Sequence, residues 1–162
     1  MQKKYESGRS LVEMVGVLAL MGLITAAAFV LIQAGSGSQK RSRATDEIDI
    51  IASNVRAMVA QAIDTSKPFS SLPKADACGG ATADGGAPVN LAKALLKSQT
   101  GATPFDKKSQ YSVYSSDGGA TFTIELSNIG EDECQSMGTR QYANGRGICC
   151  EDGKTAAITF NE

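Results

Sequence analysis

The chain contains no histidine and no tryptophan. Without histidine, Ser-His and Cys-His catalytic pairs are excluded, and the commonest side-chain metal ligand is missing. Proline is scarce at four residues, and five Phe and four Tyr are the only aromatic side chains, so any core must be light. Neither sign of charge is in excess. The 16 Lys and Arg against 17 Asp and Glu leave a net charge of −1, and nothing in that balance calls for nucleic acid as a partner. C-x-x-C pairs at zinc-ligand spacing are absent. No candidate nucleophile is accompanied by a base and an orienting group, so the expectation is a protein that is not an enzyme and uses no cofactor or metal. Residues 142–147, with Asn144-Gly145-Arg146-Gly147, resemble a phosphate-binding glycine loop in composition only. They lack the lysine of a P-loop and its strand–helix setting, and are read as a turn.

A length of 162 residues suits one modest globular domain with an appendage, and 17 glycines point to a loop-rich one. The four cysteines, Cys78, Cys134, Cys149 and Cys150, all lie far downstream of an apolar N-terminal segment. That pattern reads as disulfides formed in an oxidising compartment. Cys149 and Cys150 are neighbours, with Cα atoms about 3.8 Å apart, which is too close for the usual disulfide span. Two pairings remain: Cys134 with Cys149 or with Cys150, and Cys78 with the other. An extended backbone there would send the two neighbours to opposite faces, where they could serve separate partners.

Residues 11–32 form an apolar run of about 22 residues broken by one charge, Glu13. At 1.5 Å rise per residue, about 20 residues cross the hydrocarbon core of a bilayer. A short polar leader with Lys3 and Lys4 precedes the run. A plain membrane anchor, a secretory signal cut after Ala28 and a buried core helix are the ordinary readings. Lys3, Lys4 and Arg9 on one side balance Lys40, Arg41 and Arg43 on the other, so charge does not orient the segment. Glu13 separates the readings. A carboxylate within a membrane helix costs about 2.5–3.5 kcal/mol on insertion scales, and a plain anchor gains nothing by carrying it. Snorkelling to the interface and a local pair with Arg9, one helical turn earlier, are the bland explanations.

The stretch from Gly8 to Ile24, GRSLVEMVGVLALMGLI, resembles the class III signal of type IV pilins and type II secretion pseudopilins. The leader is short and basic and ends in Gly8. Ser10 and Leu11-Val12 follow, a glutamate stands fifth after the glycine, and Gly22 lies within the apolar helix. The resemblance implies cleavage between Gly8 and Arg9 by a prepilin peptidase, with Arg9 as the new N terminus and a candidate for N-methylation. It implies that Glu13 meets the α-amine of an adjacent subunit as helices stack in a filament. A buried carboxylate is tolerable when paired and costly when its partner is missing, so Glu13 would act as a register device. Two departures stand out: Arg9 replaces the usual Phe, and the helix lacks a proline near its middle.

Beyond the run, Gly35-Ser36-Gly37-Ser38 are poor helix formers, and residues 35–44 are expected to be a flexible break. In residues 45–64, Ile48, Ile51, Val55, Met58, Val59, Ala62 and Ile63 recur at three- and four-residue steps, which predicts an amphipathic helix ended by Lys67-Pro68. Residues 66–86 read as loop. Residues 89–98 read as a short helix with Leu91, Leu95 and Leu96 on one side. Residues 111–114 and 121–126 alternate around Asp117-Gly118-Gly119, a hairpin signal. Residues 131–137 predict a turn or two of helix, and residues 155–160 a last strand. The stretch from Phe122 to Met137 is similar to the strand and cysteine-bearing helix of type IVb pilins, which implies a disulfide from Cys134 toward the C terminus.

The expected architecture is α+β: a long N-terminal spine helix on a small antiparallel sheet, stapled by disulfides. Its parts are a cleaved leader (1–8), a membrane and filament-core helix (9–34), the break (35–44), the amphipathic half of the spine (45–64) and a globular domain (65–162). The resemblance implies a structural subunit that polymerises with copies of itself, serving adhesion, motility, DNA uptake or secretion. Its partners would be the prepilin peptidase, the pilus assembly machinery and the bacterial inner membrane before assembly, with the final location at the cell surface. A type II secretion pseudopilin is the near alternative, and the absence of an obvious acidic calcium loop leans away from it. A secreted or membrane-tethered binding domain is the alternative from another class.

Overall fold

The computed structural model describes residues 11–60, 65–78 and 86–161. The chain divides at Gln39/Lys40 into two compact units. One helix, α1 (Leu11–Val59), provides the described part of the first unit and opens the second. Leu, Met and Ala, all strong helix formers, dominate its first half. The Thr25 hydroxyl is turned inward to hydrogen-bond the Met21 carbonyl.

The expected break at residues 35–44 is absent, since α1 runs through it without interruption. Gly35 and Gly37 each cost about 1 kcal/mol relative to alanine in a helix interior. Breaking the ladder would add the cost of nucleating a second helix, and long helical stretches on both sides make propagation the better solution. The spine leaves the helical state at Val59, well before Pro68; the expected continuation through 61–64 falls outside the described residues.

The second unit is a five-stranded antiparallel sheet in the order β1-β2-β5-β4-β3. Its strands are β1 (Gln110–Ser116), β2 (Thr121–Ser127), β3 (Gln141–Tyr142), β4 (Gly145–Cys149) and β5 (Ala156–Phe160). Two further helices complete it, α2 (Ala87–Leu96) and α3 (Glu131–Gly138). The predicted hairpin is β1–β2, closed by a 3-10 turn over Asp117–Gly119. The stretch read only as a turn at 142–147 is part of a second hairpin, β3–β4, reversed at Asn144 with φ 61°. Tyr142 pairs with Gly145, so Ala143 and Asn144 are the central residues of the turn, and Asn144, which tolerates the left-handed region, was the available signal. The glycines at 145 and 147 kept β4 from reading as a strand.

Register sorts the side chains into two faces. Tyr111, Val113, Phe122, Ile124, Leu126, Ala156, Ile158 and Phe160 share one face, and all are buried. The C-terminal half of α1 covers it with Ala44, Ile48, Ile51, Ala52 and Val55. These recur at three- and four-residue steps, as the helical pattern requires. Met58, expected on this stripe, is instead 49% exposed, because Ala52 and Val55 already turn the contact face away from it. In α2 the fully buried residues are Val89 and Ala92, while Leu91, Leu95 and Leu96 are only partly covered. A row of rings runs across the face: Phe69 to Phe122 at 4.8 Å, Phe122 to Phe160 at 5.0 Å, and Tyr142 edge-on to Phe160 at 6.3 Å. The Arg56 guanidinium of α1 lies 5.9 Å and 5.5 Å from the Phe122 and Phe160 ring centres, within cation–π range. A few rings, stacked in one row, thus do much of the work of a core.

Candidate functional site

Two regions of the chain hold chemistry that the core does not use. The first is the apolar half of α1. Thirteen large apolar side chains between Val12 and Ile32 are 49–76% exposed, and an 18-residue window of the helix reaches a mean hydropathy of 2.6 with none of it buried. Full burial of one such side chain is worth about 1.5–3 kcal/mol, so this surface strongly favours leaving water for lipid or for other helices. By length and composition it can cross a membrane. A signal sequence near the N terminus passes the same test.

Glu13 stands on this helix and is exposed among Val12, Met14 and Val17. Gly8 and Arg9 lie outside the described residues. An added Cβ at Gly16 or Gly22 would meet nothing within 4 Å, so neither glycine serves packing within the described chain.

The second region is the pair of staples around Cys149-Cys150. Cys134 bonds Cys149 and Cys78 bonds Cys150, with Cα–Cα distances of 5.4 Å and 5.7 Å. Of the two pairings left open by the sequence, this is the one adopted. The physical reason is the pleat. Cys149 is paired with Ala156, itself opposite Leu126, so it shares the face covered by α1. There α3 lies on β4 almost backbone to backbone: a Cβ at Gly138 would stand 2.5 Å from the Cys149 nitrogen, and one at Gly147 2.8 Å from the Met137 carbonyl. The Tyr142 hydroxyl donates to that carbonyl at 3.1 Å. Cys150 reaches instead to the segment over the opposite face.

That opposite face is polar yet covered. A line of hydroxyls, Ser116, Thr123 and Thr159, is linked at 3.0 Å per step. Beside it Tyr114 and Glu125 are both buried, 0% and 1% exposed, and the Tyr114 hydroxyl donates to Glu125 Oε2 at 2.7 Å. Burial raises the pKa of Glu125. The Tyr114 hydrogen bond and one from the Cys78 backbone oppose that rise, and the Asp152 charge adds to it. Tyr114 is pushed up by burial and by the Glu125 charge. Asp152 itself sits below the usual carboxylate range. Its slight burial is outweighed by hydrogen bonds from the Thr155 hydroxyl and from the Lys154 and Thr155 N–H groups.

A second carboxylate, Glu47 of α1, faces Tyr111 across the helix–sheet interface. Burial raises its pKa, against the Tyr111 hydroxyl and the Arg43 charge. The approach is poor, since neither the Tyr111 hydroxyl nor Glu47 Oε2 makes a well-formed hydrogen bond among the described residues. Sequence reading missed Tyr114, Glu125 and Glu47. Glu125 alternates with apolar residues in a strand and reads as solvent-facing, because nothing local reveals the segment that covers it.

Among the described residues no three His, Cys, Asp or Glu side chains are placed to hold a metal ion, and all four cysteines are bonded. Among the described residues the arrangement offers an exposed apolar helix surface and two covalent staples. Searches against known protein families, curated proteins and solved structures find no match for this chain.

Proposed function

We propose that this chain is the structural subunit of a type IV pilus, which polymerises through its N-terminal helix after prepilin peptidase removes residues 1–8. One observation carries the reading. A single helix joins an apolar half, exposed all round and holding one carboxylate at Glu13, to an amphipathic half that serves as the spine of a disulfide-stapled α+β unit. An ordinary anchor has no use for Glu13, and a secreted domain has no use for an apolar helix continuous with its own core. In a filament both features are used: the apolar halves bury one another, and Glu13 finds the free amine of Arg9 on a neighbouring copy. The mispairing penalty of a buried, unpartnered carboxylate then selects one stagger between subunits.

The test is the N-terminal residue of the mature protein from its native host, read by intact mass and terminal sequencing. A start at Arg9 is expected. A start near Phe29 would make the chain a secreted domain, and a start at Met1 an ordinary membrane anchor; either would refute the proposal.

A further inference from the structure

We infer that Lys40, Arg41, Arg43, Lys107 and Lys108 form one surface that docks on the phosphate headgroups of anionic phospholipids. The five are far apart in sequence, and the fold brings them together. The Lys40 ammonium donates to the Phe105 carbonyl at 3.4 Å, which sets the loop bearing Lys107 and Lys108 beside the first turns of the spine in this unit. Phe105 packs against the core, so the loop is anchored. Its backbone is tied down as well: Thr103 N–H donates to the Ser109 carbonyl at 3.1 Å, Asp106 N–H to the Ser109 hydroxyl at 3.1 Å, and Lys108 N–H to Asp106 Oδ1 at 2.8 Å. Residues 102–108 line an open depression of about 550 Å³. Lys40, Arg43, Lys107 and Lys108 are exposed, and the half-buried Arg41 keeps an Nε–H without a partner.

The surface carries net positive charge. No carboxylate occurs in residues 33–45. The nearest are Asp46, three residues beyond Arg43, Asp106, whose Oδ1 accepts from the Lys108 N–H, and Glu47, which faces Tyr111 and feels the Arg43 charge, so the five cations outnumber the carboxylates beside them. Placement supplies the partner. Lys40, Arg41 and Arg43 follow Ile32 by eight to eleven residues, so the covalent chain holds them near any bilayer that residues 12–32 enter. Both disulfides belong to this same unit and call for an oxidising compartment. On that side of a membrane, short flanking segments are ordinarily poor in Lys and Arg. Lipid phosphates are the counter-charge that a bilayer entered by residues 12–32 would offer these cations. The inference needs residues 12–32 to lie in a membrane and does not need the chain to form filaments.

The test uses the full chain in vesicles of phosphatidylcholine alone, or with about one third phosphatidylglycerol, and reads the rate of lysine acylation site by site by mass spectrometry. In the anionic vesicles Lys107 and Lys108 are expected to react about fivefold more slowly, the factor that corresponds to one cation's attraction to such a surface. Salt at 1 M, where the Debye length is about 3 Å, abolishes the difference. Exposed Lys74, bridged to Ser115 at the other end of β1, keeps its rate. In Lys107→Gln/Lys108→Gln, the protection of Lys40 falls in turn. Equal rates in both vesicles would overturn the inference. So would slowing that follows protein density regardless of lipid, which would assign the surface to a second copy. Failure of the chain to float with vesicles, or a mature start near Phe29, which removes most of the apolar run, would overturn it too, whereas a mature N terminus at Met1 would leave it standing.

Discussion

Removing the Cys78–Cys150 bridge should cost this protein about 4 kcal/mol. The bond closes 72 residues, and the loop-closure relation, which grows as the logarithm of loop length, gives about that value at 25 °C. The Cys134–Cys149 bridge closes 15 residues and is worth about 3 kcal/mol by the same relation. A nearly fivefold difference in loop length therefore changes the stabilisation by little more than 1 kcal/mol. The perturbation is Cys78→Ser/Cys150→Ser, chosen because Cys78 is exposed and Cys150 lies at the edge of the core, so little packing is lost with the sulfurs. The bridge also holds the segment over Tyr114 and Glu125. The assay is urea unfolding of the full chain in micelles. Tyrosine near-ultraviolet dichroism suits it, because there is no tryptophan and Tyr111, Tyr114 and Tyr142 are all buried. A loss below about 1.5 kcal/mol with an unchanged urea slope would refute the reasoning, since the covering segment would then be held by its own contacts.

Three other outcomes are expected. Glu125 has a folded-state pKa raised by burial, so folding binds its proton more tightly, and stability falls as pH rises from the unfolded value through the folded one. Glu125→Gln should accordingly be at least as stable as the parent at pH 7, with the gap closing as pH falls toward 4.5; a less stable variant whose deficit ignores pH would contradict this. Gly147→Ala should cost about 1–3 kcal/mol in the same urea assay, because its Cβ meets the Met137 and Gly138 carbonyls below 3.0 Å, and backbone must move apart; an unchanged midpoint would count against the close packing of α3 on β4. Glu13→Ala should leave the protein folded and membrane-bound while lowering filament yield in the host, and normal yield would remove the register role proposed for that carboxylate.

The sequence revealed features whose cause is local. The period of Ile48, Ile51 and Val55 marks a helix face, and the alternation around Asp117-Gly118-Gly119 marks a hairpin, because side-chain direction follows from backbone geometry alone. The covalent limit on neighbouring cysteines left two disulfide pairings without any structure. Where sequence reading failed, a distant effect had overruled a local one. Glycine and serine at 35–38 argue for a break, but helix on both sides carries the ladder through. The glycines of β4 argue against a strand, but α3 needs their bareness to approach.

The apolar run of residues 12–32, its lone Glu13 and the even set of cysteines are facts of order and composition, and the sequence alone determined the α+β spine architecture they suggest. Only the tertiary structure chose Cys149 for Cys134, since that choice depends on which face of β4 meets α3. Only it buried Glu125 beside Tyr114 and set the loop bearing Lys107 and Lys108 against Lys40 through the Phe105 carbonyl. These relations join residues 11 and 65–68 positions apart, and over such distances the chain carries no periodicity that could announce them.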